Sequence, residues 1–86
     1  MYICIHNQSN SILSYTTCSR YIQLHGKQSK YLDIDGCNRI IFYFEKGCVV
    51  DKYQRYYREL STDDIKSYNL YIYFKWNKVF IKQKDK

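Results

Sequence analysis

The amino-acid sequence predicts a mainly β domain, α+β by strict count, in which short strands form a small antiparallel sheet or a barrel-like arrangement. Three observations support this prediction. The chain lacks proline and is rich in Tyr, Ile and Phe, which suit a pleated, half-buried sheet. Polar turn segments recur at short intervals, as they do in antiparallel structures. One short helix is expected near residues 62–68, directly before a C-terminal hairpin.

The length is that of a single domain, residues 1–86. A chain of this size buries about 60% of the surface that it exposes when unfolded, so its core is small. No segment approaches the roughly 18 consecutive apolar residues of a membrane-spanning helix. The N-terminus has neither the basic start nor the apolar stretch of a signal peptide. We therefore expect a cytoplasmic protein (host cytoplasm if it is viral) without a membrane partner; its oligomeric state is open.

The four cysteines are expected to be thiols, because a protein that is not exported stays in a reducing compartment. They do not form a Cys-x-x-Cys pair. Buried and inert thiols are therefore predicted at Cys4, Cys18, Cys37 and Cys48.

A first hairpin is predicted over residues 39–51. Its loop would be the three residues 45–47, with Gly47 in the last position, where a left-handed residue forms a bulge. Residues 52–59 are ambiguous. Val49, Tyr53, Tyr56 and Leu60 fit a helical stripe, but we favour a strand that frays into a loop near Arg58. The hairpin register would place Phe44 opposite Cys48 and Phe42 opposite Val50, giving one apolar face.

The short helix is predicted from its N-terminal signals. Ser61 suits an N-cap, and the carboxylates of Asp63 and Asp64 fall in the first turn, where the helix dipole favours negative charge. Asn69 is a reasonable residue to end the helix. The prediction is therefore a helix from about Thr62 to Tyr68.

A second hairpin is predicted at the C-terminus, with strands 70–76 and 79–83 and Asn77-Lys78 as the two-residue loop. Its register separates an apolar face from a polar one. The buried face would have Trp76 opposite Val79, Phe74 opposite Ile81, and Ile72 and Leu70 on the same side.

The other face of this hairpin is the candidate binding site. It would alternate aromatic rings with lysines, the combination that holds single-stranded nucleic acid through base stacking and phosphate contacts. The cross-strand pairs would be Lys75 with Phe80, Tyr73 with Lys82, and Tyr71 with Lys84. Four further residues could extend the surface: Arg55, Tyr56, Tyr57 and Arg58.

The charge distribution favours an anionic partner. The formal net charge is +6, and residues 75–86 alone carry five lysines and one aspartate, a net charge of +4. Two considerations weaken this signal. Forty of the 86 residues are Ile, Lys, Asn, Tyr or Phe, and Ala is absent, which indicates an AT-rich genome that favours Lys and Tyr codons by default. Lysine stems also cover aromatic rings on ordinary solvated faces.

The leading functional hypothesis is a small non-enzymatic binding protein whose C-terminal hairpin contacts nucleic acid, single-stranded or within a ribonucleoprotein. The alternative is an inhibitor from a phage, virus or mobile element that binds a host or defence protein directly, since Tyr, Trp and Arg are also typical anchors of protein interfaces.

A small enzyme or a metal-binding protein is the third hypothesis. Cys4 and His6 would share one strand face, but zinc sites normally show more closely spaced ligands. Asp33 and Asp35 lack the further ligands of a calcium loop. No catalytic signature surrounds any cysteine, so neither a cofactor nor a catalytic residue is predicted.

Overall fold

The computed structural model describes residues 1–46 and 54–85. These residues form eight strands and one 3₁₀ turn. In chain order they are β1 (Tyr2–Asn7), β2 (Leu13–Thr16), β3 (Tyr21–Leu24), β4 (Ser29–Asp33), β5 (Arg39–Lys46), β6 (Gln54–Ser61), the 3₁₀ turn (Thr62–Asp64), β7 (Asn69–Lys75) and β8 (Lys78–Lys84). The predicted mainly β class is confirmed.

The strands form two four-stranded sheets. Sheet 1 has the order β4-β1-β7-β8 and sheet 2 the order β3-β2-β5-β6. All neighbouring strands are antiparallel except β1 and β7, which are parallel. Over the described residues no strand pairing joins one sheet to the other, so the arrangement is two separate sheets and not a barrel.

The core lies between the two sheets. Alternate residues of a strand point to opposite faces, and each sheet places its apolar residues on one face. Phe44 of sheet 2 stacks on Phe74 of sheet 1 with ring centroids 5.1 Å apart, so the two apolar faces pack on each other. The largest fully buried side chains are those of Tyr15, Phe42 and Phe44. The burial of this small core is the main favourable term in folding.

The hairpin predicted over residues 39–51 is wrong in its loop and its register. Residues 45 and 46 continue strand β5, which pairs along its whole length with β6. Phe44 is opposite Tyr56 and Phe42 is opposite Arg58. The longer pairing prevails over the short-loop signal because it gives β5 eight register pairs with β6. The predicted partners Cys48 and Val50 lie outside the described residues.

The strand predicted within residues 52–59 is confirmed from Gln54 onward. It does not fray at Arg58 but continues to Ser61, because Arg39 and Ile40 of β5 still have partners there. Residues 52 and 53 lie outside the described part of the chain.

The helix prediction is correct at the start and wrong in length. Ser61 is the N-cap, and its side chain accepts a hydrogen bond of 3.3 Å from the backbone N–H of Asp63. The turn then ends at Asp64, and Ile65 has extended backbone angles. Only three residues are helical, where seven were predicted.

A glutamine of β8 explains the early end. The Gln83 side chain donates to the carbonyl of Asp64 at 2.8 Å and accepts from the N–H of Lys66 at 2.6 Å. Both backbone groups would otherwise be available to a continuing helix. Tertiary hydrogen bonds therefore replace the second helical turn.

The cap leads to a first prediction. Ser61→Ala should lower the free energy of unfolding by about 1 kcal/mol, because the N–H of Asp63 loses its acceptor. Urea denaturation would measure the change, with Ser67→Ala, just beyond the turn, as the matched control. Equal stability of the two variants would show that the Ser61 cap contributes nothing.

The C-terminal hairpin turns one residue earlier than predicted. Its loop is Trp76-Asn77, with φ of 54° and 57°, and Lys75 is opposite Lys78. Such a two-residue turn needs positive φ at both positions. Asn77 supplies one of them in either loop, and the observed turn takes Trp76 in place of Lys78 for the other. The predicted core position of Trp76 is therefore wrong, since 76% of the residue is exposed.

The earlier turn changes the cross-strand partners in β7 and β8 but leaves their strand residues on the predicted faces of the sheet. Moving the loop by one residue shifts each cross-strand partner by two positions, and a shift of two keeps the strand side chains on their original faces, while Trp76 leaves the strand for the loop. The predicted outer face is therefore confirmed, while the predicted pairs are wrong. The observed pairs are Tyr71 with Lys82, Tyr73 with Phe80, Phe74 with Val79, Ile72 with Ile81, and Asn69 with Lys84.

The cysteines in the described residues are all free thiols. Cys4 and Cys37 are buried as predicted, and burial raises the pKa of the Cys4 thiol. Cys18 is exposed, which corrects its predicted burial, because it lies in the turn after β2 with its Sγ 3.6 Å from the Gly36 carbonyl. Cys48 lies outside the described residues.

Candidate nucleic-acid interface

The outer face of sheet 1 carries a group of rings and lysines from three strands and one turn. Alternation along each strand directs them away from the core, because Ile5, Leu70 and Ile72 take the inner face. We call this group the aromatic–lysine face. It consists of His6, Tyr71, Tyr73, Lys75, Trp76, Lys78, Phe80, Lys82 and Lys84.

The rings form two neighbouring groups, one of two rings and one of three. His6 and Tyr71 stack with centroids 4.4 Å apart and an interplanar angle of 8°. Tyr73 stacks on Phe80 at 6.4 Å, and Trp76 meets the edge of Phe80 at 6.4 Å and 80°. These distances fall in the range in which aromatic pairs attract each other. The face therefore presents its rings in fixed orientations.

His6 is held from both sides of its ring. Its Nδ1 lies 2.7 Å from the Ser29 hydroxyl, and its Nε2 lies 2.9 Å from Oδ1 of Asn69. The Asn69 amide is itself oriented, because its Nδ2 donates to the Asp85 carbonyl at 3.1 Å. Nε2 is thus the donor to Asn69, and Nδ1 of the neutral ring accepts from Ser29. These bonds hold the ring against Tyr71.

The lysines surround the rings. The Nζ of Lys75 lies 4.3 Å from the ring centroid of Trp76, and that of Lys84 lies 5.8 Å from Tyr71. Both distances are typical of cation–π contacts. Residues 69–84 contain no aspartate or glutamate. The positive charge of this face is therefore not offset within β7 and β8, where it comes from Lys75, Lys78, Lys82 and Lys84.

The outer face of sheet 2 is different in charge. It also carries exposed rings, including Tyr21 and Tyr57. Here, however, Arg39 forms a salt bridge with Glu59 at 3.3 Å, and Glu45 lies in β5 on the same face. Aromatic residues alone do not distinguish the outer faces of the two sheets. The difference is that the lysines of β7 and β8 have no acidic residue in those strands to offset their charge.

The predicted extension by residues 55–58 does not lie on the aromatic–lysine face. All four belong to β6 in sheet 2, and alternation divides them. Tyr56 faces inward against Phe74, with ring centroids 5.0 Å apart. Tyr57 is on the outer face of sheet 2, opposite Tyr43.

Arg58 and Arg55 are the other two residues of this stretch. The Arg58 guanidinium reaches the edge of sheet 1, where its Nη1 donates to the Val79 carbonyl at 3.4 Å. Arg55 is opposite Glu45 in the strand pairing, and its side chain lies outside the described part of the structure. The two sheets thus meet at this edge without sharing an outer face.

Sequence reasoning missed three members of the face: His6, Trp76 and Lys78. His6 lies on this face because β1 pairs in parallel with β7, which places His6 opposite Tyr71. No local signal announces such a pairing between the two ends of the chain. Trp76 and Lys78 follow from the turn position, and comparing both possible two-residue loops would have found them.

The metal hypothesis gains no support from the described residues, which contain no group of three or more His, Cys, Asp and Glu side chains able to hold a metal ion. Cys4 and His6 share the outer face of sheet 1 as predicted. Their register partners on either side are Tyr31, Ser29, Asn69 and Tyr71.

The fold and the face together define a small two-sheet β protein with a basic aromatic surface on sheet 1. No protein-family model, curated protein sequence or solved structure matches the chain. In the described residues no helix has the length and apolar character needed to cross a membrane.

Proposed function

We propose that the protein is a non-enzymatic binding protein that holds single-stranded nucleic acid, free or within a ribonucleoprotein, on the aromatic–lysine face. The observation that supports this most is the joint placement of five rings and four lysines on one sheet face, in a stretch without acidic residues. Rings stack on bases whatever the sequence, and lysines contact phosphates.

The spacing of the rings suits an extended strand. Tyr71 and Tyr73 are two residues apart on β7, so they lie about 7 Å apart along the strand direction. Successive bases can then each meet a separate ring. A duplex would be a poor ligand for these rings, because its bases are already stacked on each other and only their edges are accessible.

The face is also organised before binding. The stack of His6 on Tyr71 and the contact of Tyr73 with Phe80 restrict the rings, and β7 and β8 pair over seven positions. A ligand therefore orders few side chains when it binds. This lowers the entropic cost of association.

Charge reversal on the face tests the proposal. Lys75→Glu with Lys82→Glu should weaken binding of a short labelled oligonucleotide at least tenfold and flatten its salt dependence, because phosphate contacts are lost. Both side chains point away from the core, so the fold should persist. Fluorescence anisotropy across a salt series is the measurement. The matched control is Lys30→Glu with Lys66→Glu, which changes the net charge equally at exposed positions outside the face.

A ring substitution separates stacking from charge. Tyr73→Ala should weaken binding by roughly 1–3 kcal/mol while leaving the salt dependence almost intact. If the wild-type protein does not bind the oligonucleotide even near about 50 mM salt, where phosphate contacts are strong, the proposed function is wrong.

A protein partner is the second candidate, and the position of Trp76 favours it. The tryptophan is 76% exposed at the hairpin tip and lies against Phe80. Exposed tryptophans are frequent hot spots of protein interfaces, as an inhibitor of a host or defence protein would need. In that case Trp76→Ala should weaken binding more than the lysine reversals do, and capture from a host extract should survive nuclease treatment.

A further inference from the structure

We propose that a bound single strand continues past the hairpin tip onto the seam between β8 and β6, where Tyr57 and Arg58 form a second part of the site. This inference rests on the proposed function and adds the path of the ligand. It starts from a contact between the sheets. β8 is an edge strand of sheet 1, β6 is an edge strand of sheet 2, and Arg58 joins them through the Val79 carbonyl.

A shallow depression opens at this seam. Its walls come from both sheets and from the turn between β7 and β8. Lys78 belongs to the aromatic–lysine face and to the depression, so the two surfaces are continuous at that residue. The lining residues are Tyr56, Tyr57, Arg58, Asn77, Lys78 and Val79.

The chemistry of the depression repeats that of the face. Tyr57 is 68% exposed, and its ring is tilted by 42° from that of Tyr43 at 6.4 Å, so the two rings do not cover each other face to face. Arg58 is exposed, and its bond to Val79 uses one of the five N–H donors of a guanidinium. Tyr57 and Arg58 leave β6 on opposite faces, yet both line the depression, so a ring for a base and a cation for a phosphate are again available on one path.

Charge also selects this path over the other side of the tip. There the opening between the sheets is lined by Glu45 as well as Lys75 and Trp76. The lining of that opening combines one carboxylate with one lysine, whereas the lining of the seam has two cations, Lys78 and Arg58, and no carboxylate. Charge complementarity thus directs a polyanion leaving the face toward Arg58 and Tyr57.

The test compares two lengths of oligothymidylate, about 4 and about 12 nucleotides, both within the range of about 4–16 nucleotides that single-strand binding folds cover. The variants are Tyr57→Ala and Arg58→Gln. Glutamine removes the charge of Arg58 but keeps a donor for the Val79 carbonyl, so the seam should stay intact. The matched control is Tyr21→Ala with Arg20→Gln, an exposed tyrosine and arginine at the opposite edge of sheet 2.

We expect each seam variant to weaken binding of the longer oligonucleotide at least fivefold and to leave the shorter one unchanged, while the control changes neither. Arg58→Gln should also reduce the salt slope by about one, for the longer ligand only. If both lengths bind the wild type equally and the seam variants have no effect, the second part of the site does not exist and the proposed function still stands. If neither length binds, both proposals fail.

Discussion

Asn7→Ala should destabilise the protein by about 3 kcal/mol, because it removes a side chain that bonds one buried and two part-buried backbone carbonyls. Asn7 is 1% exposed, and all of its polar capacity is used. Its Nδ2 lies 2.8 Å from the carbonyl of Ser11, 2.9 Å from that of Leu24 and 3.0 Å from that of His25. Its Oδ1 accepts from the N–H and the hydroxyl of Ser9, at 3.0 and 2.6 Å.

These bonds tie two connections of the fold together. One is the segment between β1 and β2, and the other is the turn between β3 and β4. Their backbones also bond directly, from Lys27 N–H to the Ser9 carbonyl at 3.1 Å. Gly26 approaches so closely that a Cβ there would lie 2.9 Å from the carbonyl of Asn10. Loss of Asn7 therefore loosens one whole end of the two sheets.

Urea denaturation of Asn7→Ala gives the measurement, with the exposed Asn10→Ala as control. A second variant, Asn7→Asp, makes the test of the Asn7 side chain more specific. The carboxylate keeps the acceptor for Ser9 but places negative charge against the carbonyls of Leu24 and His25, so this variant should be at least as unstable as Asn7→Ala. A stability within about 0.5 kcal/mol of the wild type for both variants would refute the role of Asn7.

The buried position of Asn7 could not be predicted from the sequence. Asn7 opens the polar run 7–11, a pattern typical of a solvated loop, yet its side chain is buried and makes five hydrogen bonds. Nothing local distinguishes it from Asn10, because its partners Leu24 and His25 are distant in sequence. The Ser61 cap and the outer face of the second hairpin were predictable because both depend on residues near each other in the chain.

The residues of the candidate site also fall into two groups, those predictable from nearby sequence and those that depend on distant pairings. Six of its members, Tyr71, Tyr73, Lys75, Phe80, Lys82 and Lys84, follow from strand alternation within one hairpin. His6 depends on the parallel pairing of β1 with β7, and residues 55–58 depend on how sheet 2 packs against sheet 1. Alternation predicts the face of a residue within its own sheet, but it gives no information about which sheet a strand joins.

Tyr15→Phe should have the opposite effect and raise the free energy of unfolding by roughly 1–3 kcal/mol. Tyr15 is fully buried with its ring against Phe42, at 5.9 Å between centroids. Its hydroxyl has no hydrogen-bond partner among the described residues. A buried hydroxyl without a partner loses its hydration and gains nothing in return. Phenylalanine keeps the ring and removes the unpaired group.

The pH dependence of the two proteins provides an independent readout. Burial, with a smaller contribution from Cys4, raises the pKa of Tyr15 to about 12, against 10 for the free side chain. Between these values the unfolded chain releases the Tyr15 proton while the folded protein keeps it. The wild type therefore loses stability as the pH rises from about 10 toward 12, and Tyr15→Phe lacks this loss.

The stability advantage of Tyr15→Phe should accordingly be constant below about pH 9 and grow above pH 10. Taking the difference between the two proteins at each pH cancels the titration of the other tyrosines and the lysines. Tyr57→Phe, at a tyrosine that is 68% exposed, is the matched control and should show no such growth. If Tyr15→Phe is instead less stable than the wild type by 1 kcal/mol or more, the hydroxyl makes a stabilising hydrogen bond in solution, since loss of such a bond costs about that much.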